Sequence, residues 1–362
     1  MFDMIVNTYK KAFFLCPEKY SLQRIIKLIL QEFCDEVIGI NVMNYVKSYE
    51  IRMNTQMFRL PYSLRSKWTS RYQNKINSIF LNEFRSQSPD LVFIYNNEML
   101  LPATVAEMKK TARVVFFLGD SPYYTPTNDF FLTLLNMADM VLVPDSFWME
   151  QMKTIGIENT FMFIPGIDES SYHLQPSEEL TRTVSETDIL YCGMSYNNSW
   201  GYKKALLMSK FTDFKLEIYG NRAWHRWFPF FPELPPFFHE SGFIPTAQLN
   251  AMFNKTKLMP VDGNPAVLNG IHLRTFEALG AGVLPLIENR KDVEEEIFAG
   301  IDIQLPVIRS YNEANSLAKQ YLSDEQLRSG TVNVMKHFIT TKYSKERNAE
   351  RILDFLNHKK RN

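Results

Sequence analysis

Asn269-Gly270-Ile271-His272-Leu273-Arg274-Thr275-Phe276-Glu277-Ala278-Leu279-Gly280-Ala281-Gly282-Val283-Leu284-Pro285-Leu286 is the stretch on which the reading of this chain turns. Its spacing predicts a helix over His272–Leu279, closed by a glycine pair, Gly280 and Gly282. The apolar run Val283–Ile287 that follows reads as a buried strand. Arg274 and Glu277 are three residues apart and so share one helical face. A guanidinium in that position suits a pyrophosphate, and a carboxylate suits the two hydroxyls of a ribose. The helix N-terminus adds a favourable field for phosphates. An ordinary Arg/Glu ion pair on a surface helix has the same spacing, so the pair alone does not decide the chemistry.

Outward from this stretch the same alternation recurs. Upstream, Ile189–Cys192, Phe214–Tyr219 and Lys257–Val261 read as strands with helices between them, and residues 314–356 read as three helical segments. In the first half, Lys11–Cys16, Glu36–Asn41, Leu91–Tyr95, Val114–Leu118, Met140–Val143 and Phe161–Ile164 are nearly continuous apolar runs. Helical spacing follows Ser21 and appears again over Asn128–Met137 and Ser146–Ile155. Strands of this kind are covered on both faces, and the βαβ rhythm predicts parallel, doubly wound sheets. Residues 166–187 break the rhythm, being polar and without apolar periodicity, and read as a linker. The expected organisation is an N-terminal Rossmann-like domain over 1–166, a linker over 167–187, a second such domain over 188–340, and a closing helix over 341–362 that packs back on the first domain. Two such domains are expected to face each other across a cleft at the carboxyl ends of their strands.

Composition narrows the function classes. A length of 362 residues suits about two domains. With 45% hydrophobic and 22% charged residues the chain is globular rather than disordered. Forty basic residues balance forty acidic ones, which argues against a general nucleic-acid binder. No apolar run approaches the roughly 18 residues of a membrane span. The N-terminal MFDMIVNTYKKAFFLC lacks the basic flank and cleavage site of a signal peptide. Cys16, Cys34 and Cys192 have no CxxC spacing, so neither a disulfide framework nor a zinc site is expected, and a reducing cytoplasm fits.

Two segments stand outside the alternation. Residues 45–85 hold eight Lys/Arg against two acids. They read either as a solvated helical face or as a landing surface for an anionic acceptor or lipid headgroups. Residues 224–238, WHRWFPFFP continuing to Phe237-Phe238, read as an aromatic cluster packed beside the cleft, with a membrane-touching or sugar-stacking loop as alternatives. If either segment touches a membrane, the location is peripheral, at the inner face. The chain has no GxGxxG after its first strand, no P-loop, no HExxH and no GxSxG, so dinucleotide, ATPase, zinc-protease and α/β-hydrolase readings lose their signatures.

FEALGAGVLPL (276–286) resembles the donor-site helix and following strand of GT-B glycosyltransferases, and LRTFEALGAG (273–282) most resembles their CgeB-like branch, the spore-maturation-protein glycosyltransferases. Further stretches resemble the branch in order and spacing. They are VVFFLGDSP (114–122), MVLVPDSFWMEQMKTIGIENTFMFIPGIDESSYH (140–173), DILYCGMSYNNSW (188–200), FKLEIYGNRAW (214–224) and YSKERNAERIL (343–353). The resemblance covers about residues 90–355.

It implies a GT-B fold and a hexosyltransferase-type activity, moving a sugar from a UDP- or GDP-linked donor to a hydroxyl acceptor on a glycan, a lipid-linked glycan or a protein. It implies no bound metal or cofactor, the nucleotide sugar being a co-substrate. Carried over residue by residue, Glu277 would hold the ribose, and Arg274 would contact the diphosphate and stabilise its developing charge. Gly193 would let a loop approach the phosphates, and Arg222 and Asn269 would join it in binding the donor; Lys203 would be a second cation, with a solvated turn over Tyr202-Lys203-Lys204 as its plain alternative. Phe243 and Ile244 lie in the segment whose backbone reads the base. Asp120 would activate or orient the acceptor hydroxyl, and a turn cap is its plain alternative. The Glu-x7-Glu motif of retaining GT-B enzymes is incomplete, because its first position falls on Asn269, and the histidine of their N-domain is missing from the Asp120 turn. A nucleotide-sugar 2-epimerase and a catalytically silent nucleotide-sugar-binding scaffold are the other readings.

Overall fold

The structure, a computed structural model, describes residues 8–17, 21–57, 59–96, 99–123, 129–175, 186–263 and 266–358. The chain divides into two units, one of residues 1–165 with 345–362, the other of residues 166–344.

In the first unit the strands are β1 (Tyr9–Leu15), β2 (Cys34–Gly39), β3 (Leu91–Tyr95), β4 (Arg113–Phe117), β5 (Met140–Val143) and β6 (Thr160–Met162). Its helices are α1 (Ser21–Gln31), α2 (Ser48–Met57), α3 (Tyr62–Gln87), α4 (Pro102–Met108), α5 (Phe131–Met137) and α6 (Ser146–Thr154), joined by a C-terminal helix described below. The six strands form one sheet in the order β2-β1-β3-β4-β5-β6, every pair parallel. Leu91, Val92, Phe93 and Ile94 are completely buried, which is why this run is apolar without alternation. Asp145 caps α6 by accepting the Trp148 N–H at 3.1 Å.

The second unit contains β7 (Thr187–Cys192), β8 (Leu216–Gly220), β9 (Phe238–Glu240), β10 (Thr256–Val261), β11 (Leu284–Glu288) and β12 (Val307–Ile308). Its helices are α7 (Ser199–Ser209), α8 (Thr246–Phe253), α9 (Arg274–Gly280), α10 (Ala314–Ser323) and α11 (Glu325–Lys342). The parallel sheet runs β12-β11-β10-β7-β8-β9. The last helix, α12 (Lys345–His358), belongs to the first unit. There Phe355 stacks on Phe161 with ring centroids 4.1 Å apart, buried Asn348 donates to the Ile164 and Pro165 carbonyls, and Lys345 pairs with Glu32.

One sequence expectation changes. The segment read as a linker is, over residues 166–175, a packed part of the second unit. Tyr172 is 2% exposed within that unit's core beside Leu190, Phe253 and Val283. Asn250 accepts the His173 N–H, and Asn254 accepts the Gln175 N–H and donates to the His173 carbonyl. Side-chain amides satisfy this backbone, so it needs no periodic pattern to be ordered. Of the rest of that linker, Thr187 already belongs to β7, and residues 176–185 lie outside the described residues, as do the first seven residues and the start of the helix expected from Asn128. In residues 224–238, read from the sequence as an aromatic cluster, Trp224, Trp227, Phe231 and Leu234 are buried and Phe230 is exposed. This segment is a packed aromatic cluster rather than an apolar loop open to a membrane.

Candidate functional site

The strand order of the second sheet reverses between β7 and β10, and ligands of such sheets sit outside the strand carboxyl ends at that point. The residues there are Gly193 after β7, and Asp262 and Gly263 after β10. The first turn of α9, which follows β10, carries Arg274 and Glu277 to the same edge. Arg274 Nη1 lies 2.7 Å from Glu277 Oε2, with both side chains mostly buried. The hydroxyl of Tyr172 is also hydrogen-bonded to Glu277, and burial together with that carboxylate pushes its pKa well above the ordinary tyrosine value. Arg274 Nε is buried and makes no hydrogen bond among the described residues. A buried guanidinium donor in that state is costly, and an incoming acceptor would relieve the cost.

His272 stands just before α9, and its Nδ1 accepts the Arg274 N–H at 3.1 Å. Burial, and then the charges of Arg274 and Lys204, push its pKa down to about 4. It is a neutral imidazole at physiological pH, with its proton on Nε2. The charges of Arg274 and Glu277 also reach Cys192, the residue before Gly193, but burial pushes that thiol up to about 12, so it is no nucleophile.

Two charged networks lie behind this edge. In one, Lys204 Nζ donates to Asp262 Oδ2 at 2.7 Å and to the Tyr191 hydroxyl at 2.8 Å, and Tyr191 donates to Asp262 Oδ1 at 2.7 Å. All three are buried, joining α7, β7 and the end of β10. In the other, Glu288 at the end of β11 accepts from Arg290 Nη2 at 2.9 Å, from the Gly263 N–H at 2.7 Å and from the Tyr311 hydroxyl at 3.1 Å. Lys203 Nζ lies 2.5 Å from Glu288 Oε1. Burial alone would raise the Glu288 pKa. The Arg290 and Lys203 charges outweigh it and set the value at about 2. Arg290 also donates to the Val267 and Leu268 carbonyls, and the Asp292 N–H donates to the Asn269 carbonyl. A Cβ at Gly263 would meet Arg290 Nη2 at 1.8 Å, so a larger residue there would push the guanidinium out of this clasp.

The remaining residues singled out from the sequence fall as follows. Gly193 faces the Tyr191 ring, where a Cβ would come within 2.8 Å of the hydroxyl oxygen. Lys203 is held by Glu288 and sits 4.4 Å over the Trp200 ring rather than standing open. Arg222 is exposed in the loop after β8. Phe243 is 76% exposed, whereas Ile244 packs on the core around Leu190 and Cys192. Asn269 lies on the loop clasped by Arg290 and Asp292. In the first unit, Asp120 follows β4 and accepts from Asn96 Nδ2 at 3.1 Å, and Asn96 Oδ1 accepts the Gly119 N–H at 2.9 Å. Asn96 does this from a left-handed backbone (φ 40°), a conformation asparagine tolerates better than most residues. Burial raises the Asp120 pKa above its ordinary value.

Tyr172, Lys204, Asp262, His272, Glu288 and Arg290 were not picked out from the sequence. The only local signals are the Lys203-Lys204 doublet and the Glu288-x-Arg290 spacing at a strand end.

A family model described as glycosyl transferase-like matches residues 203–354, which include Asp262, Arg274, Glu277, Glu288 and Arg290. No curated protein sequence matches the chain. Among solved structures, sucrose-phosphate synthase from Thermosynechococcus elongatus is similar with a TM-score of 0.65 at 8% identity, over 96% of this chain and 98% of that one. Anabaena HepE, in complex with UDP and glucose, is similar with a TM-score of 0.62 at 13% identity, over 96% and 100%. The fold is GT-B. A Listeria monocytogenes structure described as a UDP-N-acetylglucosamine 2-epimerase is similar too, with a TM-score of 0.56 at 14% identity over 95% and 94%. Within this GT-B chain, the second unit's sheet and α9 carry the pair that the sequence singled out.

Proposed function

We propose that this protein is a glycosyltransferase that moves a sugar from a nucleoside-diphosphate donor, UDP- or GDP-linked, to a hydroxyl acceptor, without a bound metal. The observation that carries the reading is the Arg274–Glu277 pair at the strand carboxyl ends, with an unsatisfied buried guanidinium donor beside a carboxylate held by Tyr172. The UDP and UDP-glucose complexes of HepE support the donor class.

In this reading Glu277 accepts the ribose hydroxyls and Arg274 takes the diphosphate. The acceptor oxygen forms its bond to the anomeric carbon as the bond to the diphosphate breaks. The leaving oxygen keeps the electron pair, and Arg274 stabilises that charge. Asp120 takes or orients the acceptor proton. Gly193, Arg222, Phe243, Ile244 and Asn269 line the donor, and Lys203 contributes through Glu288 rather than as a separate cation. The CgeB-like branch remains the subfamily that the motifs favour. The acceptor is a glycan, a lipid-linked glycan or a protein.

A 2-epimerase is the second reading, supported by the epimerase structure of the same fold. The test is incubation with nucleotide sugars, with and without a pool of hydroxyl acceptors. Acceptor-dependent release of nucleoside diphosphate, reduced by Glu277→Ala and Asp120→Asn, is the expected result. A sugar isomer formed without acceptor would establish the epimerase. Nucleotide binding without turnover, unaltered by Asp120→Asn, would make the protein a scaffold.

A further inference from the structure

Between β2 and β3 the first unit carries a helical hairpin of α2 and α3 whose two faces differ sharply. The inner face buries Asn54, Tyr72, Ile76, Asn77, Phe80 and Phe84. The outer side is not a simple solvated face. Residues 59–64, Arg-Leu-Pro-Tyr-Ser-Leu, are six consecutive exposed positions at the turn between the helices. Leu60 is 42% exposed, Tyr62 65% and Leu64 69%. Tyr45, Tyr49 and Met53 add further exposed apolar surface on the α2 side.

The charges around this tip have one sign. Lys47, Arg52, Arg59, Lys67 and Arg71 are all exposed, and none forms a salt bridge with an acid among the described residues. Helical spacing sets Arg52 and Met53 each beside Tyr49, Lys67 beside Leu64, and Arg71 beside Lys67. The two acids of residues 45–85 are already engaged. Glu50 accepts from Lys75 at 2.7 and 2.8 Å, and Glu83 is hydrogen-bonded to the Tyr45 hydroxyl.

A soluble polyanion would call for the cations but not for exposed leucines and tyrosines at their centre. A hydrated face would call for neither the leucines nor the charge imbalance. An apolar tip ringed by cations matches a layer that offers phosphates outside and acyl chains just beneath. We propose that the α2–α3 turn is a docking surface for an anionic phospholipid bilayer. Leu60, Tyr62 and Leu64 enter the headgroup–acyl boundary, and Lys47, Arg52, Arg59, Lys67 and Arg71 face lipid phosphates. Among the described residues no helix is long and apolar enough to cross a membrane, so this contact is a peripheral one. It goes beyond the proposed transfer reaction and does not depend on it.

The test is co-sedimentation of the full chain with phosphatidylcholine vesicles, with or without phosphatidylglycerol. Binding to the phosphatidylglycerol vesicles alone, released by salt, is expected. Reversing three cations (Arg59→Glu/Lys67→Glu/Arg71→Glu) should weaken it by more than about 100-fold, at about fivefold for each cation lost. Leu60→Ser/Tyr62→Ser/Leu64→Ser alters only exposed positions and should also lose binding, with thermal unfolding unchanged. Tyr62→Trp gives an independent readout, in which brominated acyl chains should quench the added emission. No vesicle binding by the wild type, or binding that neither triple variant weakens, would overturn the proposal. So would binding that survives the serine variant and is displaced by dextran sulfate, since the surface would then serve a soluble polyanion.

Discussion

Arg274 Nη1 and Glu277 Oε2 lie 2.7 Å apart on the first turn of α9, and the Tyr172 hydroxyl holds the same carboxylate from the segment that precedes β7. Neither charge has to be positioned by its ligand. The guanidinium and carboxylate restrain each other, so little side-chain entropy would be lost if, as proposed, a diphosphate met one and a ribose the other. Tyr172→Phe should therefore weaken donor binding less than Glu277→Ala, because it removes a support and leaves the acceptor oxygens in place. Calorimetric titration with a nucleoside diphosphate checks the order. A loss with Tyr172→Phe as large as with Glu277→Ala would show that the hydroxyl does more than support.

The buried Lys204–Asp262 pair should matter for stability. Lys204→Met leaves Asp262 buried without its cation and should cost about 3–5 kcal/mol. Lys204→Met/Asp262→Leu should cost much less than the two single changes summed, since the uncompensated charge is gone. Denaturant unfolding measures all three, and additive costs would mean that the two residues act independently.

Glu288 should give the second unit an acid-labile clasp. Its folded pKa of about 2 is below the ordinary 4.5, so the folded state favours the ionised form. The contribution is complete above 4.5 and is lost as the pH falls towards 2. Glu288→Gln should lower stability at neutral pH and flatten that part of the pH–stability curve. Thermal unfolding of wild type and variant between those limits checks it, and parallel curves would contradict it.

Asp120→Asn should leave donor affinity intact and reduce transfer by about 10²–10⁴-fold if the carboxylate accepts the acceptor proton. Burial raises its pKa, so activity should fall with acidity at a pH above the ordinary aspartate range, and the variant should lose that limb. Equal losses in donor binding and transfer would make Asp120 the turn cap of the plain alternative.

Much of the architecture was legible because the sheets are covered on both faces. Leu91–Ile94 and Met140–Val143 are apolar at every position, and their burial is complete. The strands that went unread are β9, Phe238–Glu240, of three residues and two of them polar, and β12, of only Val307 and Ile308. The expected helix start at His272 moved to Arg274, since His272 serves as an acceptor for that helix's first N–H. Residues 166–175 looked like a linker because Asn250 and Asn254, about eighty residues away, supply what periodicity normally reveals. The Lys204–Asp262 and Lys203–Glu288 pairs depend on the strand order β11-β10-β7, which no local pattern encodes. Arg274 and Glu277 could be singled out because a single helical turn brings them together.

In the proposed function, Glu277 and Arg274 form the site of a nucleotide-sugar donor. Calorimetric titration of the wild type and Glu277→Ala with UDP and GDP tests it most directly. One of the two should bind the wild type, and Glu277→Ala should weaken that binding by about 1–3 kcal/mol, with thermal unfolding of the free protein little changed. Equal affinity of the wild type and Glu277→Ala for that nucleotide would contradict it.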